Sequence, residues 1–510
     1  MVVTYRNNRL VPAIIITLCV VLIFYLVDPS VENYGLSSAA EDYGSSSSAS
    51  PASPPPPSYQ DSIAQEKEFY EEQAKEYADA SSTPVPSSGT KPKQQTPSHG
   101  HDNDDALTDD DILLIVKTGG TSMWKRLLAH LPTTLSPARI SPSHIAIYSD
   151  QAASIGPFTV VDALANSSSA AKSSLEFDVY RQQAEYNAYN RYVEASGVAG
   201  DEWGPVGGWT VDKYKFLPLM DHAGRAWPRA KWYVYMEDDS YLFLPEVRRH
   251  LSRFDHARPH YLGSYAAKSG FVFAHGGAGF ALSRGAWEAS FGAAGPNITE
   301  DYFDYTATHC CGDQVLGKAL KDHGVSFGEN GGDEGFTFGF NPVVHWVFAF
   351  SKSNWCKPLL SWHKVHSRDV AEYFAFEQTW DFSKPLLHRD FFANMILPRL
   401  NSSVEWWENG AAAFEVSSGN QEWAPVPDKS APGGSVDAKA WKEAWQSSEA
   451  CAAACRGWEA CMMWEYVEDL CKMDDNLRMG QGYAPGMTER KTSLMHTSGW
   501  IIDRVDEWVC

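Results

Sequence analysis

The chain has 510 residues, 21% of them charged, and its 42 basic side chains stand against 64 acidic ones for a formal net charge of −22. That balance argues against a nucleic-acid surface, which needs clustered Lys and Arg, and it carries no information about the fold.

Val11–Val27 is an uncharged apolar run at the lower limit of what crosses a bilayer as a helix, roughly 17–25 residues. Arg6 and Arg9 precede it and Asp28 follows. Because positive charge stays on the cytoplasmic side, the run reads as a type II signal anchor, with residues 1–10 as a cytoplasmic tail and the bulk of the chain lumenal. A cleaved signal peptide is the other reading, although the small residues Ser37–Ala40 lie far from the apolar run. Residues 28–107 hold runs such as SSSSASPASPPPPS, whose Pro and Ser content cannot bury a core. They are expected to form a disordered stem, open to O-glycosylation, with a short charged helix around Ile63–Ala80. Asn166, Asn297 and Asn401 head Asn-X-Ser/Thr sequons, which fit a secretory lumen. Of the nine cysteines, Cys19 falls in the anchor; the remaining even number suggests disulfides whose partners spacing does not fix.

From Ile112 the pattern changes. Ile112–Lys117 reads as a buried strand, Thr118-Gly-Gly-Thr-Ser as a turn and Met123–Leu131 as an amphipathic helix. Further strands are expected at His144–Tyr148, Phe158–Asp162 and Trp232–Met236, with helices between Phe177 and Ala195 and over Tyr214–His222. This alternation predicts an α/β domain, residues 108–423, with a mostly parallel sheet and helices on both faces. Thr118–Thr121 lacks the spacing of a phosphate loop.

The most informative stretch is WYVYMEDDSYLFL, Trp232–Leu244, where an apolar strand runs into Glu237, Asp238 and Asp239. Hard oxygen ligands at the carboxyl end of a strand suit a divalent cation, and a solvated strand-to-loop corner is the other reading. Gly276 and Gly277, within GGAG, permit close backbone approach to a ligand or tight packing. Lys117 and Lys213 are candidates for nucleotide or phosphate contact, or are solvated faces. Trp209, Trp346, Trp355 and Trp362 offer flat surfaces for sugar rings, or pack in the core. Asp313 suits capping of a helix over Gln314–His323.

The ordered set KTGGT, GWTVDKYKFLPL, YMEDDSYLFLPEV, HGGAGFALSR, CCGDQVLGKAL and SWHKVHSRDV resembles glycosyltransferase family 31, the fringe-like and core-1 β-1,3-glycosyltransferases, in its fungal form. The similarity runs over roughly Ile112–Leu400. It implies a GT-A fold, a UDP-sugar donor, a Mn²⁺ or similar divalent cation, a glycan or glycoprotein acceptor, inversion at the anomeric carbon and a Golgi membrane location. EDDSY matches the family's metal motif, which makes Asp239 the expected metal ligand with Asp238 beside it toward the ribose or the metal. SWHKVH implies His363 as the second ligand, with His366 as the fallback. CCGDQVLG aligns with the segment that supplies the general base, which implies Asp313. Two positions depart from the pattern: Glu237 and Gly312 each stand where the family commonly has Asp.

The Pro/Gly/Ser-rich stretch Ala424–Ser435 opens a linker, residues 424–440, before a cysteine module over residues 441–510. Cys451, Cys455, Cys461 and Cys471 contain no CxxC pair, so disulfides are favoured over zinc. CAAACRGWEACMMWEYVEDLC resembles a PAN/apple module, which implies nested pairing, Cys451 with Cys471 and Cys455 with Cys461, and a carbohydrate or protein ligand. Adjacent Cys310 and Cys311 are expected to pair with distant partners rather than each other. A second functional reading, kept open by Glu237 and Gly312, is a non-catalytic, membrane-tethered lectin-like protein.

Overall fold

The computed structural model describes residues 107–188, 207–268, 270–327, 339–485 and 494–510. The expected anchor, almost all of the expected stem, and its short helix lie outside them. No helix among the described residues is long and apolar enough to cross a membrane.

Eleven strands build the first part: β1 (Ile112–Lys117), β2 (Ile145–Ser149), β3 (Ala153–Ile155), β4 (Phe158–Asp162), β5 (Trp232–Glu237), β6 (Ser240–Leu242), β7 (Tyr261–Gly263), β8 (Tyr265–Lys268), β9 (Phe271–Ala274), β10 (Phe280–Ser283) and β11 (Ser361–His363). Seven of them form one sheet in the order β3-β4-β2-β1-β5-β10-β7. Its centre, β4-β2-β1-β5, is parallel, and β3, β10 and β7 add antiparallel edges. The sheet and its helices make a GT-A-type domain.

β1 is buried on both faces because its residues are apolar without alternation, as a central parallel strand requires. Leu113 and Ile115 pack with Phe216, Met220, Val315 and Leu316 from the helices Phe216–Ala226 and Gly312–Asp322. Ile112, Leu114 and Val116 face the opposite layer, with Leu127, Val247 and Leu251 from Leu127–His130 and Leu244–Leu251. Only the last part of the expected helix over Met123–Leu131 is regular, and Ser122 ahead of it commits its hydroxyl to Asp238. The helix expected over Tyr214–His222 begins at Phe216 after a 3-10 segment, Gly208–Tyr214, and that after Phe177 is described over Asp178–Ala188.

The C-terminal part adds β12 (Val404–Glu405), β13 (Trp407–Glu408), β14 (Phe414–Ser417), β15 (Met463–Val467), β16 (Leu470–Asp474), β17 (Gln481–Gly482) and β18 (His496–Trp500). Five of these form an antiparallel sheet, β12-β18-β15-β16-β14. The sheet therefore recruits residues from 404 onward, ahead of the linker, whereas sequence reasoning kept everything up to 423 in the first domain. These strands are only two to four residues long, too short to show a period. One face of the sheet packs Trp464 and Met473 on Trp441 and Trp458. Met462, Met463 and Trp500 instead join Tyr241, Phe243, Trp362 and Phe391 of the first part in a single core. The two parts thus share buried apolar surface rather than meeting across a polar seam.

Four disulfides form: Cys451–Cys471, Cys455–Cys461, Cys356–Cys510 and Cys310–Cys311. The last corrects the expectation of distant partners. Cys356 and Cys510 satisfy one another and the module's four cysteines pair internally, which leaves adjacent Cys310 and Cys311 only each other.

Candidate active site

β1 and β5 end level, with Lys117 opposite Glu237, so the charged residues that follow each apolar run emerge at the same edge of the sheet. The Lys117 ammonium is buried between Asp212 and Glu237, 3.1 Å from Glu237 Oε1. Burial alone would lower its pKa, but the two carboxylates outweigh that and raise it. Glu237 also accepts from the Tyr235 hydroxyl at 3.0 Å, and burial pushes its own pKa up. Lys215 lies alongside, donating to Asp150 at 3.2 Å and to the Thr118 carbonyl at 2.9 Å and pairing with Asp212 at 2.8 Å.

The three acidic residues of the motif do different things. Asp238 is a fastener: Oδ2 accepts from Thr118 Oγ1 at 2.6 Å and from Ser122 Oγ at 2.8 Å, and its carbonyl accepts from His130 Nε2 at 2.9 Å. It holds the Lys117–Ser122 turn against β5. Asp239 is different. Among the described residues its buried Oδ1 has no hydrogen-bond partner and forms only an ion-pair approach to His363 Nε2 at 3.5 Å, while Oδ2 accepts from Arg126 Nη1 at 3.4 Å. His363 arrives because β11 pairs antiparallel with β6, setting His363 opposite Ser240. Its Nδ1–H donates to the Pro342 carbonyl at 2.9 Å, which turns Nε2 toward Asp239. Burial would lower the His363 pKa, but Asp239 and Glu237 outweigh this and raise it.

One ligand atom each from Glu237, Asp239 and His363 lies within 4.8 Å of the others. Two ligands at adjacent positions of a hard divalent ion, each about 2.1–2.4 Å from it, sit roughly 3.0–3.4 Å apart, close to the observed spacing of Asp239 and His363. A buried carboxylate oxygen beside an imidazole turned toward it is a donor set whose chemistry suits a divalent cation. Gly277 makes room for this, because a Cβ there would fall on the His363 imidazole. A cleft of ≈ 270 Å³ opens beside the trio, lined by Arg126, Asp238, His366, Ser367 and Arg368. His366 caps the helix Ser367–Thr379 and is not part of the trio.

Asp313 lies on the far side of the glycine loop. Oδ2 accepts from Gly276 N and Oδ1 from Gln314 N, both at 2.8 Å, and burial raises its pKa. It therefore steadies the first turn of Gly312–Asp322 while remaining half-buried. Gly312 has a packing reason: any Cβ there would collide with the Phe216 ring, so the sequence departure at this position is forced by the core.

With the carboxylates, the imidazole and the cleft in place, the comparison with known proteins becomes decisive for one segment. Residues 107–317 match the Fringe-like family model. That family is a glycosyltransferase family. The Fringe-like segment contains Glu237–Asp239, Gly276–Gly277 and Asp313, but it ends at Gly317, so the position of His363 rests on geometry alone. Comparison with curated proteins returns no match.

The remaining candidates divide. Lys213 turns from the carboxylates to Glu176, at 2.8 Å, and to the Ala307 carbonyl. It borders a separate hollow of ≈ 20 Å³, large enough only for water. Trp355 and Trp362 are core, and Trp209 and Trp346 are half-buried. Asn166, Asn297 and Asn401 are all exposed, as glycan attachment needs. Sequence reasoning missed Arg126, Asp150, Asp212, Lys215 and His275. The signal for Asp212 and Lys215 was two charges inside a segment that otherwise packs as core. A further polar nest lies at Gly120, whose N–H donates to Asp150 Oδ1 at 2.9 Å. Among the described residues, Asp150 Oδ2, Gln151 Nε2 and both polar atoms of the Gln183 amide are buried there without hydrogen-bond partners.

Proposed function

We propose that this protein is a type II membrane glycosyltransferase of the Golgi that transfers a hexose, galactose in our reading, from a UDP-sugar to a glycan hydroxyl with inversion, forming a β-1,3 bond. The observation that carries this is Asp239 Oδ1, without a hydrogen bond among the described residues, facing His363 Nε2 at 3.5 Å, with neighbouring Asp238 and Arg126 lining a cleft, inside and beside a Fringe-like segment. Asp239, His363 and Glu237 would hold a divalent cation such as Mn²⁺, which when bound supplies positive charge to offset the leaving diphosphate.

The chain's own residues account for the rest. Arg126 and Arg368 line the cleft and suit phosphate oxygens. The unpartnered groups of Asp150, Gln151 and Gln183 offer donors and acceptors to the edge of a base. Lys117 acts through Glu237, whose carboxylate it keeps in place. Asp313 takes the proton of the acceptor hydroxyl as the new carbon–oxygen bond forms and the bond from the anomeric carbon to the diphosphate oxygen breaks, its electron pair leaving with UDP. Full-length protein in detergent with Mn²⁺ and a panel of UDP-sugars, read by mass spectrometry, tests this. Turnover that survives unchanged in Asp313→Asn removes the base assignment; the expected loss is roughly 10²–10⁴-fold in kcat with UDP affinity intact. The C-terminal module, with its PAN/apple-like pattern, would serve as an acceptor-holding element.

A further inference from the structure

His275 belongs to no structural network that its chemistry requires. It precedes the glycine loop, its ring is 5.4 Å centroid to centroid from that of His363, and its neighbour Gly276 donates to Asp313. Its own Nδ1 lies 3.1 Å from the Ala278 backbone nitrogen. An amide N–H can only donate, so Nδ1 is the acceptor and the ring proton sits on Nε2. The tautomer is therefore fixed by the loop rather than by any ligand. Among the described residues Nε2 makes no hydrogen bond or ion pair, and the side chain is only half-buried. A fixed N–H donor has been left open between the metal-binding imidazole and the candidate base.

In an inverting displacement the base, the acceptor oxygen, the anomeric carbon and the leaving diphosphate follow one another in line. A group standing between the base and the ligands that face the diphosphate must flank the sugar being transferred. From this juxtaposition we propose that His275 is a sugar-binding residue whose Nε2–H donates a hydrogen bond to a hydroxyl of the transferred hexose. The proposal rests on the transferase reading above and deepens it, because it adds a contact to the hexose that neither the metal trio nor the base supplies.

Two substitutions separate this role from a structural one. Asparagine places its Oδ1 where Nδ1 stood, so His275→Asn keeps an acceptor for Ala278 N–H and deletes only the outward donor. Glutamine reaches the position of Nε2 with an amide N–H, so His275→Gln restores the donor. Isothermal titration of full-length protein in detergent with Mn²⁺ uses UDP and, separately, UDP-galactose, UDP-glucose and UDP-N-acetylglucosamine. Expected for His275→Asn is a roughly tenfold rise in Kd for the UDP-hexose that wild type binds, with Kd for UDP unchanged, and a partial return in His275→Gln. Equal weakening of UDP and UDP-hexose, or no change in either, overturns the assignment. Failure of wild type to bind any of the four probes overturns the transferase reading itself, and this contact with it.

Discussion

Two clusters in this molecule use the same residue types and reach opposite states. Glu237, Asp239 and His363 lie at the edge of the GT-A-type sheet; Glu465 and His496 lie in the five-stranded C-terminal sheet with Glu408 on neighbouring β13, their ligand atoms likewise within 4.8 Å of one another. In the second cluster the central carboxylate is saturated. Glu465 is fully buried; its Oε1 meets His496 Nδ1 at 3.0 Å and Lys472 Nζ at 3.4 Å, and its Oε2 accepts from Gly410 N at 2.9 Å. In the first, Asp239 Oδ1 has no hydrogen bond and the cleft is beside it. Composition and distance alone therefore do not mark a cation site. What differs is how far the protein's own donors saturate the carboxylate: Glu465 takes three at 2.9–3.4 Å, whereas Asp239 has only the longer approaches of His363 at 3.5 Å and Arg126 at 3.4 Å.

The largest effect that tests this contrast is Asp239→Ala. Sugar transfer is expected to fall by roughly 10³-fold or more, and the Mn²⁺-dependent rise in Tm with UDP to vanish, while circular dichroism stays native. A persistent Mn²⁺ response would put the cation elsewhere. Next is Gly277→Ala, which displaces the His363 imidazole without touching a ligand; metal affinity is expected to weaken by about 10–100-fold in titration, with only a small change in unfolding midpoint. The matching change in the second cluster, Glu465→Ala, strands Lys472 and His496 beside a cavity. It should cost about 3–5 kcal/mol of stability by denaturant unfolding and leave Mn²⁺ affinity unaltered. A change in Mn²⁺ affinity there would erase the distinction between the clusters.

The same carboxylate gives a pH signature. His496, Lys472 and Gly410 overcome the burial that would raise the Glu465 pKa, so its folded value lies below that of an ordinary glutamate. Its stabilising contribution is therefore complete above about pH 4.5, the ordinary glutamate value, and is lost as pH falls below that. Acid unfolding of wild type should steepen in that range relative to Glu465→Gln. The smallest expected effect is from Cys510→Ser. Because the shared core already joins the two parts, losing the Cys356 bridge should cost about 2–4 kcal/mol, with transfer kinetics unchanged.

Much of the fold was legible where apolar residues run without interruption. Ile112–Lys117 and Phe158–Asp162 have the expected bounds, Trp232–Met236 extends by one residue, and His144–Tyr148 shifts by one residue at both ends. β1, β2 and β5 are buried on both faces or nearly so, and β4 keeps the alternation of an outer strand. β12, β13 and β14 were not legible because strands of two to four residues carry no period and take their identity from β16, β17 and β18. At the site, motif resemblance pointed to Asp239 and His363, which the structure brings within 3.5 Å of one another; the separate duty of Asp238, tied to Thr118 and Ser122, was not legible. Nor was Lys213 distinguishable from Lys215 two residues on: on a 3-10 turn, neighbouring lysines diverge, and only one points under the sheet edge.

The sequence by itself determined the central strands, the acidic corner after β5 and the module's cysteine cluster. Only the tertiary structure decided which carboxylate oxygen stays unsatisfied, which lysine neutralises the corner, and that Cys310 closes on Cys311. The reason is physical. Local pattern reports burial within a few residues, whereas hydrogen-bond saturation depends on groups delivered from distant strands through registers such as that of β6 with β11.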